Sequence, residues 1–190
     1  LPSFPGPVQA GRLWSHFRKG RESASFEYNK EWLANPHRFA LEPLLPLADG
    51  TFHTNPGQSV FGAIGDSTPD RWGRILMRRA ELARARTANE SPHTLSELDY
   101  LLRVNDEARQ GALRFSQDGG QSFCAPPGST PIPPLVNLSR LLHAADHFCR
   151  DDENAEDLRL LLAPGSSLGG ARPKASVKDK KGNLCIAKFP

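Results

Sequence analysis

The residues best suited to chemistry lie near the end of the chain, in the stretch APGSSLGGARPKASVKDKKGNLCIAKFP from 163 to 190. Ser167 precedes two paired glycines, Gly169 and Gly170, and Lys188 follows in an apolar, strand-like run. Glycines let backbone amides approach oxyanions closely, and a nearby lysine supplies positive charge. The combination raises the hypothesis of a phosphate-binding turn followed by a strand that carries a lysine.

Three known phosphate-binding patterns can be compared with this glycine turn. Gly165 and Gly170 have the spacing of a Walker A loop, but Ala171 stands where that loop requires lysine. A Rossmann fingerprint follows a strand, whereas this turn follows a predicted helix. The protein-kinase arrangement agrees better, because its Gly-rich loop leads into a strand and the next strand carries a lysine for the ATP phosphates, as Lys188 would. The residues alone leave two interpretations open, a nucleotide cradle or a plain turn with a solvated lysine.

The composition sets broad limits on the protein. The 190 residues suffice for one large or two small domains, and 17 Pro and 16 Gly predict many turns. The net charge of +3 is too small to argue for nucleic-acid binding by itself. The three cysteines are widely spaced and form no CxxC pair, which indicates reduced thiols and a cytosolic protein. No stretch has the apolar length of a membrane span.

The order of apolar and turn-forming residues predicts an α+β chain. GRLWSHF and ESASFEY are typical of a β-hairpin whose turn contains Gly20, and NKEWLANP is typical of a helical turn capped by Asn29. ALEPLLPL is apolar but interrupted by prolines, which favours an edge strand. Ser67 and Asp70 have the spacing of a capping box before a helix from about 69 to 85.

The second half of the chain repeats this mixture after a break. HTLSELDYLLRV predicts a helix with Thr94 and Glu97 as its capping box, and QGALRF predicts a short strand. Residues 116–134 are rich in Gly, Ser and Pro, which indicates a linker. Two helices and a β-hairpin, ASVKD to LCIAKF, are predicted beyond it. The first of these helices would bury a face made of Leu138, Leu141, Leu142, Ala145 and Phe148.

Three further sets of side chains are candidates for binding or for the core. Six arginines on the helix around 71–86 suit either a phosphate or DNA contact face or a solvated face, and the small net charge favours the solvated face; they are Arg71, Arg74, Arg78, Arg79, Arg84 and Arg86. His143 and His147 have the spacing of a metal pair, but no acid or cysteine at a suitable offset supports one, so a solvated pair is favoured. Core or interdomain positions are expected for Trp14, Trp32 and Trp72.

SSLGGARPKASV followed by IAKFP resembles the phosphate loop and ATP-lysine strand of HipA-type serine/threonine kinases, the toxin halves of bacterial toxin–antitoxin pairs. Upstream, GRLW…SFEYNKEWL…LEPLLPL resembles the N-terminal coupling subdomain of that family, FGAIGDSTPDRWGRILM its D-S-x-P-D-x-W-G helix, and RQGALRF the strand that follows. The resemblance implies a two-lobed kinase that binds ATP between its lobes. Residues 1–134 would be the coupling subdomain, residues 135–190 would begin the kinase N-lobe, and the C-terminal lobe would be absent.

By position, the resemblance assigns roles to individual residues. Lys188 matches the ATP-binding lysine, and Ser167 matches the serine that the family autophosphorylates, with Ser166 as a less favoured neighbour. The loop departs from the Val-Ala-Gly-Ala-Gln-Glu of the best-known member, which implies a different flexibility. The catalytic and Mg²⁺-binding aspartates belong to the absent lobe, so this chain alone is expected to be inactive. The ATP-phosphate loop would consist of Gly169, Gly170, Ala171, Arg172, Pro173 and Lys174.

The resemblance also implies a function and partners. The expected protein is a cytoplasmic, ATP-dependent serine/threonine kinase that phosphorylates an aminoacyl-tRNA synthetase and is inhibited by its own autophosphorylation. Its expected partner is a helix-turn-helix antitoxin of the HipB type, with DNA met only through that antitoxin and no membrane involved. Two other interpretations stay open. One is a non-catalytic module that docks a partner such as an antitoxin, and the other is a nucleic-acid-binding protein that uses the arginine-rich helix.

Overall fold

The computed structural model describes residues 4–124, 132, 137–165 and 169–190. Within them, short antiparallel strands are combined with a run of helices, so the α+β class predicted from the sequence is confirmed. The strands are β1 (Gly11–Arg18), β2 (Arg21–Tyr28), β3 (Thr51–His53), β4 (Lys174–Lys178) and β5 (Leu184–Lys188). The helices are α1 (Lys30–Ala34), α2 (Gly62–Gly65), α3 (Arg71–Ala88), α4 (Glu97–Arg103), α5 (Leu138–Cys149) and α6 (Ala155–Gly165), with a 3-10 turn at Asp106–Ala108.

The first sheet has the strand order β1-β2-β3, and its β1–β2 hairpin confirms the predicted one. The turn residues Lys19 and Gly20 have φ values of 49° and 74°, which match the right-handed twist of the two strands. Phe26 is buried, whereas Trp14 is 39% exposed, so of the two positions expected for Trp14, core or interdomain, the core position is wrong. Leu13 pairs with Phe26 on the core face, and the alternation of side chains therefore turns Trp14 to the other face.

The segment from 40 to 47 forms turns, and the edge strand predicted for it is wrong. Pro43 and Pro46 lack the N–H groups that pairing in a sheet uses. Leu45 is nevertheless fully buried, and its carbonyl oxygen accepts a hydrogen bond of 2.7 Å from the Tyr28 hydroxyl. The third strand is instead β3, which has three residues and therefore gave too short a pattern to be recognised.

Helix α3 begins after Asp70, which is itself the N-cap, so the capping box predicted from Ser67 is wrong. The helix contributes Trp72 and Leu76, 2% and 0% exposed, to a core that it shares with α5, α6 and β4. A helix from the first half of the chain thus packs against residues that lie beyond the predicted linker. The other buried members of this core are Leu141, Ala144, Ala145, Phe148, Leu158, Leu161, Ala175, Val177 and Phe189.

Helix α5 presents a narrower apolar face to this core than the sequence predicted. Leu141 and Phe148 are buried, as expected, but Leu138 and Leu142 are 36% and 43% exposed. The capping box of α4 consists of Ser96 and Asp99, two residues beyond the predicted Thr94 and Glu97. Both corrections are shifts within an element whose existence was predicted.

The residues after α4 are held by Arg109, and residues 110–115 do not form the short strand predicted for QGALRF. The Arg109 side chain is buried, and its guanidinium donates to the carbonyl oxygens of Ser67, Leu101 and Val104 at 2.9, 2.8 and 3.2 Å. The guanidinium carbon lies 4.8 Å from the centroid of the Phe115 ring. These contacts join the segment before α3, the end of α4 and the residues that follow.

Three of the α3 arginines form ion pairs with carboxylates. Arg74 donates two hydrogen bonds to Glu97, at 2.5 and 2.6 Å, and Arg79 pairs with Asp151 and Glu153. Arg84 pairs with the buried Glu81 at 2.8 Å and with Glu90. The predicted solvated face is therefore correct only in part, because these three side chains connect α3 to other segments. The same ion pairs neutralise three of the six positive charges that a DNA contact face on α3 would use.

Glu81 is 2% exposed and accepts hydrogen bonds from Arg84, from the His93 backbone N–H and from Arg103. The Arg84 hydrogen bonds are the main reason that the pKa of Glu81 falls from 4.5 to about 2. A carboxylate whose pKa is lower in the folded state stabilises the fold above its unfolded pKa and loses that contribution as the pH falls through its folded pKa.

We expect Glu81→Gln to lower the free energy of unfolding by about 2 kcal/mol at pH 7, because two arginines lose their anionic partner. The difference from the wild type should shrink as the pH falls from 4.5 towards 2. Urea unfolding at a series of pH values measures it. Glu90→Gln is the matched control, because Glu90 is 59% exposed and pairs with the same Arg84, and its cost should stay below about 1 kcal/mol. Equal costs for the two variants would contradict the assigned role of Glu81.

Candidate functional site

The β4–β5 hairpin brings together the two parts of the site that the sequence suggested. Lys174 lies directly opposite Lys188 in the antiparallel register, and the Phe189 N–H donates to the Pro173 carbonyl oxygen at 3.1 Å. Directly opposed residues in a ladder point to the same face. Lys188 therefore lies beside the end of the glycine loop, the name used here for residues 169–174.

Lys188 lies on the face of the hairpin opposite to the one that packs against the core. Ala175 and Val177 are buried in the core with α3, α5 and α6, whereas Ile186, on the same face as Lys188, is 55% exposed. Within the described part of the chain, no carboxylate lies within 4 Å of the Lys188 ammonium. The hairpin thus presents a lysine beside the exposed side chain of Ile186, and such a surface can accept both an anion and a flat apolar group.

Gly170 in the glycine loop is bonded through both of its backbone polar groups to the start of α3. Its N–H donates to Oδ2 of Asp70 at 2.6 Å, and its carbonyl oxygen accepts from the Trp72 N–H at 3.0 Å. Gly170 has φ of 86°, which a side chain would strain, and a β-carbon there would lie 2.8 Å from the Lys174 Nζ. The conformation of the loop therefore depends on a glycine at this position.

The end of α6 and the start of β4 lie close to the same tryptophan, Trp72. The Trp72 indole N–H donates to the Lys174 carbonyl oxygen at 2.9 Å, where the loop enters β4. Gly165, at the end of α6, faces the same ring, and a β-carbon there would lie 2.8 Å from Leu76 Cδ1 and 3.1 Å from the Trp72 Nε1. A larger residue at 165 would separate α6 from α3. Trp72 thus fixes the position of the loop relative to the core.

The charges around the glycine loop are predominantly positive. Arg172 and Lys188 are exposed, and the Lys174 ammonium donates to the Gly169 carbonyl oxygen. Asp70 is the acidic exception, and the backbone N–H groups of Gly170 and Arg71 hold the pKa of its carboxyl below the usual value, so that it stays ionised. Three cations against one engaged carboxylate fit an anionic ligand such as the phosphates of a nucleotide.

Not every assigned residue can be placed. Ser166 and Ser167 lie outside the described residues, so the proposed autophosphorylation serine has no structural description. A groove of about 440 Å³ lies nearby, between α5 and the end of β5. Leu142 and His143 line it together with Pro173 and Phe189, and Lys188 does not. The groove therefore adjoins the site formed by Lys188 and the glycine loop and shares Pro173 with it.

The other candidate residues do not form a site in the described part of the chain. His147 Nδ1 donates to Oδ2 of Asp157 at 3.0 Å, and the ring centroid of His147 lies 4.1 Å from that of His143. Among the described residues, no group of three or more His, Cys, Asp and Glu side chains is arranged to hold a metal ion. Within the same residues, no helix has both the length and the apolar character needed to cross a bilayer.

Sequence reasoning missed the two residues that hold the glycine loop in place. The sequence predicts a local capping box for Asp70 and a core or interdomain position for Trp72, although both contact a loop about a hundred positions away. The spacing of Asp70 and Trp72 at the start of a helix was visible in the sequence. The contacts of these two residues with the glycine loop were not visible, because no local feature of the sequence relates residue 70 to residue 170.

The chain matches a model of a known protein family. The family model described as HipA N-terminal domain matches residues 6–116 of the chain. This range includes β1 to β3, α1 to α4, and both Asp70 and Trp72, and it ends before α5 and the β4–β5 hairpin. No curated protein matches the chain.

Proposed function

Because this chain belongs to the HipA N-terminal domain family, we propose that it is the first part of an ATP-dependent, HipA-type serine/threonine kinase that acts as a toxin. Residues 135–190 would begin the N-lobe of that kinase. The observation that carries the proposal is the pairing of β4 with β5, in which Lys188 lies opposite the residue that ends the glycine loop. A Gly-rich loop, a strand, a turn and a lysine-bearing strand form the ATP-binding half of a kinase N-lobe.

In this proposal, each described residue of the site has a defined task. ATP supplies the γ-phosphoryl group, and its phosphates would meet the backbone and cations of the glycine loop. Lys188 would place its ammonium against the α- and β-phosphates, while the exposed apolar surface at Ile186 would face the base. Phosphoryl transfer depends on positioning and charge stabilisation. The acid that accepts the substrate proton and the Mg²⁺ ligands would come from a second lobe, outside this chain.

The biological context belongs to the same proposal. A HipA-type kinase in the cytoplasm would phosphorylate an aminoacyl-tRNA synthetase and would be held inactive by a helix-turn-helix antitoxin. Autophosphorylation at Ser167 would add about −1.5 to −2 charges beside a loop that has to receive the phosphates of ATP. Like charges would compete for the same amides and cations, so the modified protein would lose nucleotide affinity. Support for this step comes from the resemblance and from the positive charge around the loop.

The test is incubation of the full-length protein with ATP and Mg²⁺, followed by mapping of the phosphorylated peptides. We expect the phosphate on Ser167 and, after modification, loss of ATP affinity by about tenfold or more. Ser166→Ala serves as the matched control, because it should leave both the labelling and the affinity unchanged, whereas Ser167→Ala should abolish the labelling. A phosphate mapped elsewhere, or unchanged ATP binding by the Ser167-phosphorylated protein, would refute the self-inhibition.

A second function is supported by a separate surface. The edge strand β1 exposes an aromatic side chain on each of its faces, Trp14 (39% exposed) on one and Phe17 (72% exposed) on the other, and exposed aromatic side chains are frequent in protein interfaces. The alternative is therefore a non-catalytic module that docks a partner such as an antitoxin through β1. Isothermal titration with ATP separates the two, because the docking module requires no nucleotide affinity in the full-length protein.

A further inference from the structure

One peptide group of the glycine loop is held by a single side chain from the family-matched part of the chain. Each oxygen of the Asp70 carboxylate accepts one backbone hydrogen bond: Oδ1 accepts from the Arg71 N–H at 2.7 Å, and Oδ2 accepts from the Gly170 N–H at 2.6 Å. The first bond caps α3, and the second crosses to the loop. The carboxylate is exposed, so burial in the core does not explain its position.

The neighbouring contacts make this arrangement specific. Besides the Asp70 bond, Gly170 is held at its carbonyl oxygen by the Trp72 N–H, two residues further along the same helix start. An N-cap needs only one acceptor for the first turn of a helix. A serine, threonine or asparagine would cap α3 equally well, but each has a single side-chain acceptor oxygen, which cannot occupy at once the two positions from which the Asp70 oxygens accept the Arg71 and Gly170 N–H groups. The second acceptor is what a carboxylate adds.

We propose that Asp70 is a positioning residue, which holds the glycine loop in the conformation used for phosphate binding by fixing the Gly170 amide to the start of α3. The effect on the nucleotide rests on the proposed function, whereas the fixing of the loop does not. A loop that is ordered before binding does not lose its conformational freedom when the ligand arrives, so its ligand binds more tightly. In this way the family-matched domain, which contains Asp70, sets the geometry of a loop that lies outside it.

The first experiment measures hydrogen exchange at the Gly170 and Arg71 amides in the full-length protein by mass spectrometry with residue resolution. In Asp70→Ala, exchange at Gly170 should rise by about tenfold, the value of one hydrogen bond to a charged acceptor. In Asp70→Asn, one of the two amides should keep its protection and the other should lose it, because a single acceptor oxygen remains. Unchanged exchange at Gly170 in Asp70→Ala would overturn the proposal.

Ser96→Ala is the matched control for the loss of a helix cap. Ser96 caps α4 through the Asp99 N–H and does not contact the glycine loop. Its variant should resemble Asp70→Ala in thermal stability, yet leave exchange at Gly170 unchanged. Increased exchange at Gly170 in Ser96→Ala would show that the loop responds to general destabilisation, and this result would also overturn the positioning role.

The second experiment measures the dissociation constant of ATP for the same full-length variants. Asp70→Ala should bind ATP several-fold more weakly than the wild type, and Ser96→Ala should bind it equally well. Tighter binding by Asp70→Ala would mean that the carboxylate competes with the phosphates, and would overturn the proposal. If the wild type itself does not bind ATP, the kinase function fails, while the exchange result still decides whether Asp70 holds the loop.

Discussion

Lys188→Ala in the full-length protein is expected to lower phosphotransfer by about 100-fold or more, the cost of removing a charge that stabilises the transition state. The variant should stay folded, because Lys188 is exposed and lies on the face of the hairpin that points away from the core. The measurement is the initial rate of phosphate transfer from labelled ATP at saturating and limiting ATP. Thermal unfolding of the same preparation shows whether the variant is folded.

Lys181→Ala is the matched control, because Lys181 is an exposed lysine in the turn of the same hairpin. Its removal changes the net charge by the same amount and should leave the rate within about twofold of the wild type. Wild-type turnover in Lys188→Ala would contradict the assignment of Lys188 to ATP. An equal loss in both variants would show that the hairpin acts through its general charge and would also contradict it.

Arg109→Met is expected to lower the free energy of unfolding by about 3 kcal/mol, because three buried carbonyl oxygens lose their donor and only the packing of the side chain is kept. Burial lowers the pKa of Arg109 to about 10, and the nearby Asp106 opposes that change. The carbonyl groups belong to Ser67, Leu101 and Val104, so their loss should loosen the junction between α3 and α4. Urea unfolding at neutral pH measures the effect.

Arg114→Met is the matched control for this prediction. Arg114 is also an arginine beside an aromatic ring, with its guanidinium carbon 3.6 Å from the centroid of Phe123, but its side chain is 44% exposed and pairs with Asp106. Exposed pairs contribute little, so the variant should lose less than about 1 kcal/mol. A similar loss in the two variants would contradict the claim that the buried carbonyl bonds of Arg109 hold the junction.

The sequence by itself determined the elements whose signals are local. The β1–β2 hairpin follows from alternating apolar residues on either side of Gly20, and α1 follows from Asn29 as its cap. The β4–β5 hairpin was likewise predicted, and with it the pairing that brings Lys188 beside the glycine loop. These features depend on residues within a few positions of one another, and their side-chain preferences and turn geometry are properties of a short segment.

The tertiary structure decided what depends on residues far apart in the chain. Pro43 and Pro46 already weakened the case for a strand in ALEPLLPL, but only the fold shows that Leu45 is buried and bonded to the Tyr28 hydroxyl. Likewise, only the fold shows that α3 packs against α5, α6 and β4 in the second half of the chain. In the sequence, Asp70 has the features of an ordinary helix cap. In the folded chain, the Gly170 backbone nitrogen lies 2.6 Å from the second carboxylate oxygen of Asp70, Oδ2. A carboxylate can serve two hydrogen bonds, and only the folded chain determines which donor occupies the second.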